Sequence, residues 1–356
     1  MAVGVVEPVT SLGRGERQIR AKYICSPGYE PASDCFCVRF SPDDAYLAAS
    51  FANGAIHVYN AETGRQEFAL NQPGAANEGG AAEGTLPTTQ VRWRPHSANS
   101  KTKNVLVSVN CEPDGQIFHW HIKSGKCLHA ITEPDNQLFC MDYYADGSQF
   151  ATAGRDRVVR VYDEATKRLM HSLEGGDLKK TAGHTNRVFS LKYHPKQPHV
   201  IVSGGWDNTV QMWDTRTGHS VRSLWNCYVC GDAVDFASDG RTILTGSWRR
   251  EDALQLWDAG SGELAQTVPW RSESAKTTSQ LFAAQLSKDA SSSMIVAGGS
   301  GENEAKFFCA DTSGGMAPFG ALMCLPKPVF TVDFAHNSKM AAVGCSDGHI
   351  RVFDVK

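Results

Sequence analysis

The stretch GHTNRVFSLKYHPKQPHVIVSGGWDNTVQMWDTRTG, from Gly183 to Gly218, contains three short runs in which apolar and polar residues alternate, separated by turn-forming residues. Alternation with a period of two is typical of a β-strand that has one buried face. The third run ends in Trp213 and Asp214, and a polar turn with a glycine follows it. The stretch therefore predicts consecutive antiparallel strands joined by short turns.

The same unit recurs along the whole chain. Its third strand ends at Asn60, His121, Asp163, Asp214, Asp258, Cys309 and Asp354. These positions are roughly 42 to 61 residues apart, close to the period of about 40 to 45 residues of a four-stranded propeller blade with loop insertions. First strands such as FCVRFSPDD and FTVDFAHNS alternate in the same way, and no helical periodicity competes with them. The sequence therefore predicts an all-β chain with seven copies of one unit.

Composition limits the class of protein. The chain has 356 residues, of which 41% are hydrophobic, and a formal net charge of -3. This content suffices for a sizeable core, and the charge predicts no general attraction to nucleic acid or to a membrane surface. The N-terminal residues lack a signal-peptide pattern, and no run reaches the roughly 18 apolar residues of a membrane span. Eleven cysteines without a tight spacing pattern are typical of a reducing compartment. We expect a soluble, cytoplasmic protein, with nuclear and cytoskeletal locations, including cilia, left open.

At the repeat residues quoted above, from about Glu16 to Lys356, the sequence resembles the WD-repeat (WD40) family, whose members fold as β-propellers. The resemblance implies one seven-bladed propeller over residues 16–356, preceded by a flexible arm at residues 1–15. The last copy stops at its third strand. We therefore expect the strand-like segment Arg17 to Ser26 to pair with the last blade and close the ring.

The resemblance also implies a hydrogen-bonded network inside the fourth blade, made of His184, Ser203, Asp207 and Trp213. A histidine, a serine and an aspartate together would also fit a nucleophilic triad. Each of these residues, however, lies at a structural position of the repeat. We therefore predict no catalytic residues and no enzyme activity.

Two further patterns could indicate a metal site. Cys227 and Cys230 form a Cys-x-x-Cys pair, but a zinc site needs about four ligands and no second pair has a usable spacing. His119 and His121 lie on one face of a strand, where we expect them to face solvent. We therefore predict no metal and no cofactor.

A candidate partner site emerges when the ends of the second strands are aligned. The segments TAGRDR, SGGWDN and TGSWRRED place Arg155, Trp206 and Trp248 at one position in three consecutive blades. Arg249 and Arg250 follow Trp248. Tryptophan and arginine are enriched in binding hot spots, so this patch is predicted to bind a partner. The alternative is that both indoles merely cap neighbouring blade edges.

Two functions remain open at this point. The first is a non-catalytic scaffold, monomeric as a propeller, that binds protein or peptide partners on one face within a multiprotein complex. The second is a substrate receptor of a cullin-type ubiquitin ligase. Its Trp-Asp-x-Arg adaptor box would consist of Asp207, Trp213, Asp214 and Arg216, of which Arg216 is the informative residue. No nucleic-acid or membrane partner is predicted. The Gly- and Ala-rich stretch Asn71 to Pro87 is predicted to be a mobile surface insertion.

Overall fold

The computed structural model describes residues 17–26, 33–72, 86–96, 103–176, 181–270, 279–311 and 314–356. The predicted arm at residues 1–15 and most of the stretch from Asn71 to Pro87 lie outside these ranges. In the described ranges the chain forms strands and one short 3-10 turn, Ile122–Ser124. The first half contains β1 (Ile19–Cys25), β2 (Cys35–Phe40), β3 (Tyr46–Phe51), β4 (Ile56–Asn60), β5 (Gln66–Leu70), β6 (Thr88–Trp93), β7 (Val105–Asn110), β8 (Gly115–His121), β9 (Lys126–Glu133), β10 (Leu138–Tyr143), β11 (Gln149–Gly154), β12 (Val159–Asp163), β13 (Leu169–Leu173) and β14 (Val188–Tyr193). The second half contains β15 (Val200–Gly205), β16 (Thr209–Asp214), β17 (His219–Trp225), β18 (Val234–Phe236), β19 (Thr242–Gly246), β20 (Leu254–Asp258), β21 (Leu264–Thr267), β22 (Gln280–Leu286), β23 (Met294–Ser300), β24 (Ala305–Ala310), β25 (Met316–Leu322), β26 (Val329–Phe334), β27 (Met340–Cys345) and β28 (Ile350–Val355).

The strands of the described chain form seven four-stranded antiparallel sheets, which are the blades of a propeller. Blades one to six each use four consecutive strands, from β2–β5 to β22–β25, and blade seven has the order β26-β27-β28-β1. The first strand of each blade is its inner strand, and inner strands contact those of adjacent blades, as β2 contacts β6 and β26. The predicted all-β, seven-bladed architecture is confirmed.

The ring is closed by the N-terminal segment for which the sequence predicts this pairing. Strand β1 pairs antiparallel with β28, with Ile19 opposite Val355 and Cys25 opposite Ile350. The backbones of Gln18 and Lys356 add two hydrogen bonds of 2.9 Å. Blade seven therefore takes its outer strand from the beginning of the chain, so β28 has no free edge.

Buried carboxylates join neighbouring blades around the central axis. At three interfaces, an aspartate on one inner strand accepts a backbone N–H from the inner strand of the next blade. The pairs are Asp142 with Tyr193 (3.0 Å), Asp235 with Leu286 (3.0 Å) and Asp333 with Phe40 (2.9 Å). Hydrogen bonds to charged acceptors are stronger than neutral ones, so these contacts fix the blades relative to one another.

A β-bulge recurs near the start of the inner strands. In blade four the pairing register shifts between Val188 and Ser190, so Phe189 has no direct partner on β15. The same shift occurs in blades one, two, three, six and seven. A bulge bends the strand and redirects the side chain of the extra residue. It therefore creates one distinctive position near the start of each of these inner strands.

Candidate functional site

The bulge position carries phenylalanine in five of the six blades that have the bulge. We call this set the phenylalanine ring: Phe36, Phe139, Phe189, Phe282 and Phe330. Thr89 and Asp232 hold the equivalent sequence positions in blades two and five. All five phenylalanines are half-buried. This set was not predicted from the sequence, although the recurrence of phenylalanine in five aligned copies was a usable signal.

The ring members contact one another across blade boundaries. Phe139 stacks on Phe189 with centroids 4.7 Å apart and the ring planes at 9°. Phe282 meets Phe330 edge to face at 5.2 Å, and Phe330 lies 5.8 Å from Phe36. Such aromatic pairs are worth about 0.5–1.5 kcal/mol beyond their area burial. The five phenylalanines therefore form two contact groups, Phe139 with Phe189 and Phe330 with Phe282 and Phe36.

The phenylalanine ring surrounds a cavity of about 360 Å³ on the propeller axis. All seven blades contribute to its wall, and the lining residues outside the ring are Pro87, Thr89, Gln90, Cys111, Cys230, Gly231 and Asp232. We call the ring and this cavity together the channel mouth. Its lining is mainly aromatic and apolar, which is typical of a binding pocket with few polar groups.

The single charged residue in the described lining of the channel mouth is Asp232, and it is buried and already paired. Its Oδ2 accepts from the guanidinium groups of Arg39 and Arg92, with an Nη2–Oδ2 distance of 2.6 Å for Arg92. Its Oδ1 accepts a longer bond of 3.4 Å from the hydroxyl of Ser190. Burial, and after it the charge of Arg39, lowers the pKa of Arg92. Beneath the mouth, two guanidinium groups therefore share one carboxylate.

Three of the five predicted partner residues lie at equivalent positions beside the channel mouth. Each follows the second strand of its blade, and we call this the rim position. The backbone N–H donates to a carbonyl that precedes the inner strand: Arg155 to Gln137 (2.9 Å), Trp206 to Arg187 (3.0 Å) and Trp248 to Tyr228 (2.8 Å). The three turns therefore share this backbone contact, and their role as a partner site stays a prediction.

Trp206 is half-buried and packs directly against the phenylalanine ring. Its indole stacks on Phe189, with centroids 4.7 Å apart and the planes at 29°. The guanidinium carbon of Arg187 lies 5.5 Å from the indole centroid, a cation–π arrangement. Trp206 is thus held in place on both sides.

Trp248 is more open, with 36% of the residue exposed. Its indole lies between Tyr228, at 6.4 Å, and Phe282, at 6.3 Å between ring centroids. Arg155 is exposed as well. Each tryptophan of the predicted patch therefore contacts one member of the phenylalanine ring, Trp206 at Phe189 and Trp248 at Phe282.

The two arginines that follow Trp248 differ from each other. The guanidinium of Arg249 donates to the backbone oxygens of Asn226 (2.5 Å) and Asp252 (2.6 Å) and to Oε1 of Gln255 (2.7 Å). It therefore stabilises the turn of blade five. Arg250 is exposed.

The network implied in blade four has the following geometry. His184 Nδ1 is 2.7 Å from Asp207 Oδ2, and His184 Nε2 is 2.7 Å from the Ser203 hydroxyl. The indole N–H of Trp213 donates to the same hydroxyl at 2.7 Å. Burial raises the pKa of Asp207, but its hydrogen bonds, first of all the one with His184, outweigh burial, so the pKa lies below its usual value. Ser203 thus connects a histidine and a tryptophan inside the blade.

The adaptor-box residues are divided between the two ends of strand β16. Asp207 lies in the turn beside Trp206, Trp213 is buried, and Arg216 follows the opposite end of the strand. The guanidinium of Arg216 is exposed and forms two bonds with Asp214, of 2.6 Å and 2.9 Å. A strand rises about 3.3 Å per residue, so the six residues of β16 place Arg216 roughly 20 Å from the Trp206 turn.

The Cys-x-x-Cys pair and the HWH run lie in mainly buried surroundings. Burial raises the pKa of Cys227 and of Cys230 to about 12, which keeps both thiols protonated at neutral pH. The expectation that both histidines of the HWH run face solvent is wrong for His119. It is buried, 3.3 Å from Glu164 Oε2 and 5.4 Å from the ring of Phe150, because blade three covers that face of β8. Among the described residues, no group of three or more His, Cys, Asp and Glu side chains is arranged to hold a metal ion.

No helix in the described part of the chain is long and apolar enough to span a bilayer.

Comparison with known proteins gives the relationships of the chain. Autophagy-related protein 16 of Arabidopsis thaliana is 23% identical over 55% of this chain and 38% of its own length. Cell division cycle 20.1, cofactor of APC complex, of the same organism is 22% identical over 62% of this chain and 44% of its own. COMPASS component SWD3 of Saccharomyces cerevisiae is 21% identical over 69% of this chain and 71% of its own. The chain spans less than half the length of the first relatives that it matches.

Four stretches also match the model of the WD domain, G-beta repeat. They are residues 26–60, 125–163, 175–214 and 322–354, which cover the first three strands of blades one, three, four and seven, and the second stretch also covers β9 of blade two. The three blades between these matches have the same four-stranded antiparallel order. Together, the four matches and the seven blades show that the chain carries WD repeats and folds as a seven-bladed β-propeller.

Proposed function

We propose that this chain is a non-catalytic interaction scaffold that binds a protein or peptide partner at the channel mouth, within a multiprotein complex. Arg155, Trp206, Trp248 and Arg250 are the proposed partner contacts. Arg249 has a positioning role, because its guanidinium supports the turn that presents Trp248 and Arg250. The proposal needs no cofactor, nucleic acid or membrane, and it treats the propeller as a monomer.

One observation carries this proposal: an aromatic surface stays accessible where the channel opens. Five half-buried phenylalanines surround an apolar cavity, and an exposed tryptophan lies beside them. Accessible apolar patches on protein surfaces commonly mark interaction sites. Tryptophan and arginine at the border of such a patch are the residue types that dominate binding energies.

The relatives support the same class of function. Their names describe a COMPASS component and a cofactor of the APC complex, which are parts of larger assemblies. The relatives therefore indicate protein-interaction scaffolding in complexes. Identity near 22% does not carry over any particular partner, so the partner of this chain is a matter for experiment.

Quantitative affinity capture from cells tests the proposal. The full chain is compared with the double variant Arg155→Ala/Trp248→Ala, whose residues are exposed, and with Arg216→Ala on the opposite face. We expect at least one partner to fall by about tenfold or more with the double variant and to be retained by Arg216→Ala. An identical partner profile for the wild type and the double variant would refute the proposal.

A second candidate function uses the opposite face. Arg216 is exposed, and hydrogen bonds to Asp214 hold its guanidinium in one direction. On this hypothesis the chain is a substrate receptor of a cullin-type ubiquitin ligase. Arg216→Ala should then remove the ligase adaptor from the captured proteins while the channel-mouth partner stays. Absence of any adaptor from the wild-type capture would reject this candidate.

A further inference from the structure

The channel mouth also indicates the chemistry of what it binds. We propose that the partner inserts one large, uncharged apolar side chain between the phenylalanines of the ring, next to an acidic residue that pairs with Arg155 and Arg187. This inference rests on the proposed function, because it names the ligand chemistry of the same site. The occupant is a segment of a partner protein.

The size and lining of the cavity indicate which side chain the partner inserts, and we call this side chain the anchor. An apolar cavity of about 150 Å³ is enough to hold a benzene molecule. The channel mouth has about 360 Å³, which accommodates one aromatic or long aliphatic side chain with part of its backbone. Phenylalanine faces and edges on several sides offer the offset and edge-to-face contacts that aromatic groups prefer.

The floor of the cavity disfavours a cationic anchor. Asp232 is the acceptor there, but Arg39 and Arg92 already bind the same carboxylate oxygen. An inserted lysine or arginine would lose its hydration and approach two guanidinium groups that share one carboxylate. Because an uncompensated buried charge is costly, the floor selects a neutral side chain.

The border of the channel mouth favours an acidic residue next to the inserted side chain of the partner. In six blades of the described chain, a backbone hydrogen bond joins the rim position to a residue that precedes the inner strand. Among the residues joined in this way, the charged ones are Arg155, Arg187 and Asp34. The Asp34 carboxylate accepts a bond of 2.7 Å from the Ser346 hydroxyl, in blade seven. The two arginines lie together on blades three and four, so a partner carboxylate has its complement on that side.

The experiment selects a phage-displayed library of random decapeptides on the full chain. A plugged variant, Cys111→Trp, serves as the control protein. Cys111 is half-buried, lines the channel mouth and occupies the rim position of blade two, where its N–H donates to Pro87. Because the same position already holds tryptophan in blades four and five, the backbone tolerates an indole there. Thermal melting verifies that the variant is folded.

We expect the enriched peptides to share one large apolar residue within two positions of an aspartate or glutamate. Their affinity should fall at least about tenfold for Cys111→Trp and about as much for Arg155→Glu/Arg187→Glu, which retains the cavity. Replacing the apolar anchor residue of a selected peptide by alanine should reduce its affinity for the wild-type chain by about the same factor.

Three outcomes would overturn the inference: enrichment of lysine or arginine as the anchor, equal binding to the plugged variant, or no enrichment above that variant. If Cys111→Trp fails to fold, Phe139→Ala and Phe330→Ala replace it, and unchanged peptide affinity in both has the same meaning. One of these outcomes can occur together with loss of the cellular partner in Arg155→Ala/Trp248→Ala. The proposed function would then stand, and only the inferred ligand chemistry would be wrong.

Discussion

The indole of Trp206 stacks on the phenyl ring of Phe189 at 4.7 Å, and both rings belong to blade four. Trp206 is half-buried by this contact, whereas Trp248, at the same position in blade five, is exposed. The choice between capping a blade edge and binding a partner therefore does not apply equally to the two tryptophans. Trp206 combines a packing role with the proposed binding role, and Trp248 depends less on packing.

The two tryptophans should respond differently to truncation. Trp206→Ala removes the stack on Phe189 and the contact with Arg187, so we expect the free energy of unfolding to fall by about 1–3 kcal/mol. Trp248→Ala should change it by less than about 1 kcal/mol, because that indole is more exposed. Urea unfolding measures both values. Equal losses would contradict the unequal packing of the two side chains.

The network in blade four should contribute measurably to stability. Ser203→Ala leaves both His184 Nε2 and the Trp213 N–H without their shared partner in a buried site, which should cost about 2–4 kcal/mol. Ser108→Ala is the matched control. Its hydroxyl accepts one bond, of 2.9 Å, from Trp120, so its cost should be about half as large. A larger loss at Ser108 than at Ser203 in chemical denaturation would contradict this account.

Closure by β1 should be essential to stability. Deleting residues 1–25 removes the buried side chain of Ile19 and exposes the edge of β28, so we expect a loss of about 3–5 kcal/mol and a tendency to aggregate. Deleting residues 1–16 keeps β1 and is the control, with an expected loss near zero. Calorimetry and light scattering read out both effects. If the two deletions melt alike, β1 does not close the ring in solution.

Acid should destabilise the propeller partly through His57. Burial lowers the pKa of His57 to about 4, so the folded state keeps this imidazole neutral. The unfolded chain takes up the proton near pH 6.5, and the stability from this residue is complete above that pH and declines as the pH falls to about 4. The decline amounts to about 3 kcal/mol. His57→Asn should flatten the stability curve between pH 6.5 and 4; an unchanged slope would mean that His57 is protonated in the folded state.

Much of the fold could be predicted because it is encoded in repeated local patterns. The alignment of Trp206 with Trp248 and the pairing of Arg17 to Ser26 with the last blade both follow from repeat positions. Strand alternation does not predict the channel mouth, since the bulge at Phe189 redirects a side chain that alternation would place elsewhere; the sequence signal for it is the recurrence of phenylalanine at this position. The role of Arg249 depends on the carbonyl of Asn226, which lies in the connection between blades four and five, and the burial of His119 depends on blade three. Contacts between blades join residues that are far apart in the sequence, so an alignment of the repeats does not reveal them.

Site-specific photo-crosslinking tests the central claim most directly. The photo-reactive residue benzoylphenylalanine replaces Trp248 in one protein and Arg216, on the opposite face, in another, and each is irradiated in cells. We predict that the crosslinked partner at Trp248 is the one lost from capture with Arg155→Ala/Trp248→Ala, and that it does not crosslink at Arg216. Crosslinking of that partner at Arg216 but not at Trp248 would contradict the claim that the channel mouth is the binding site.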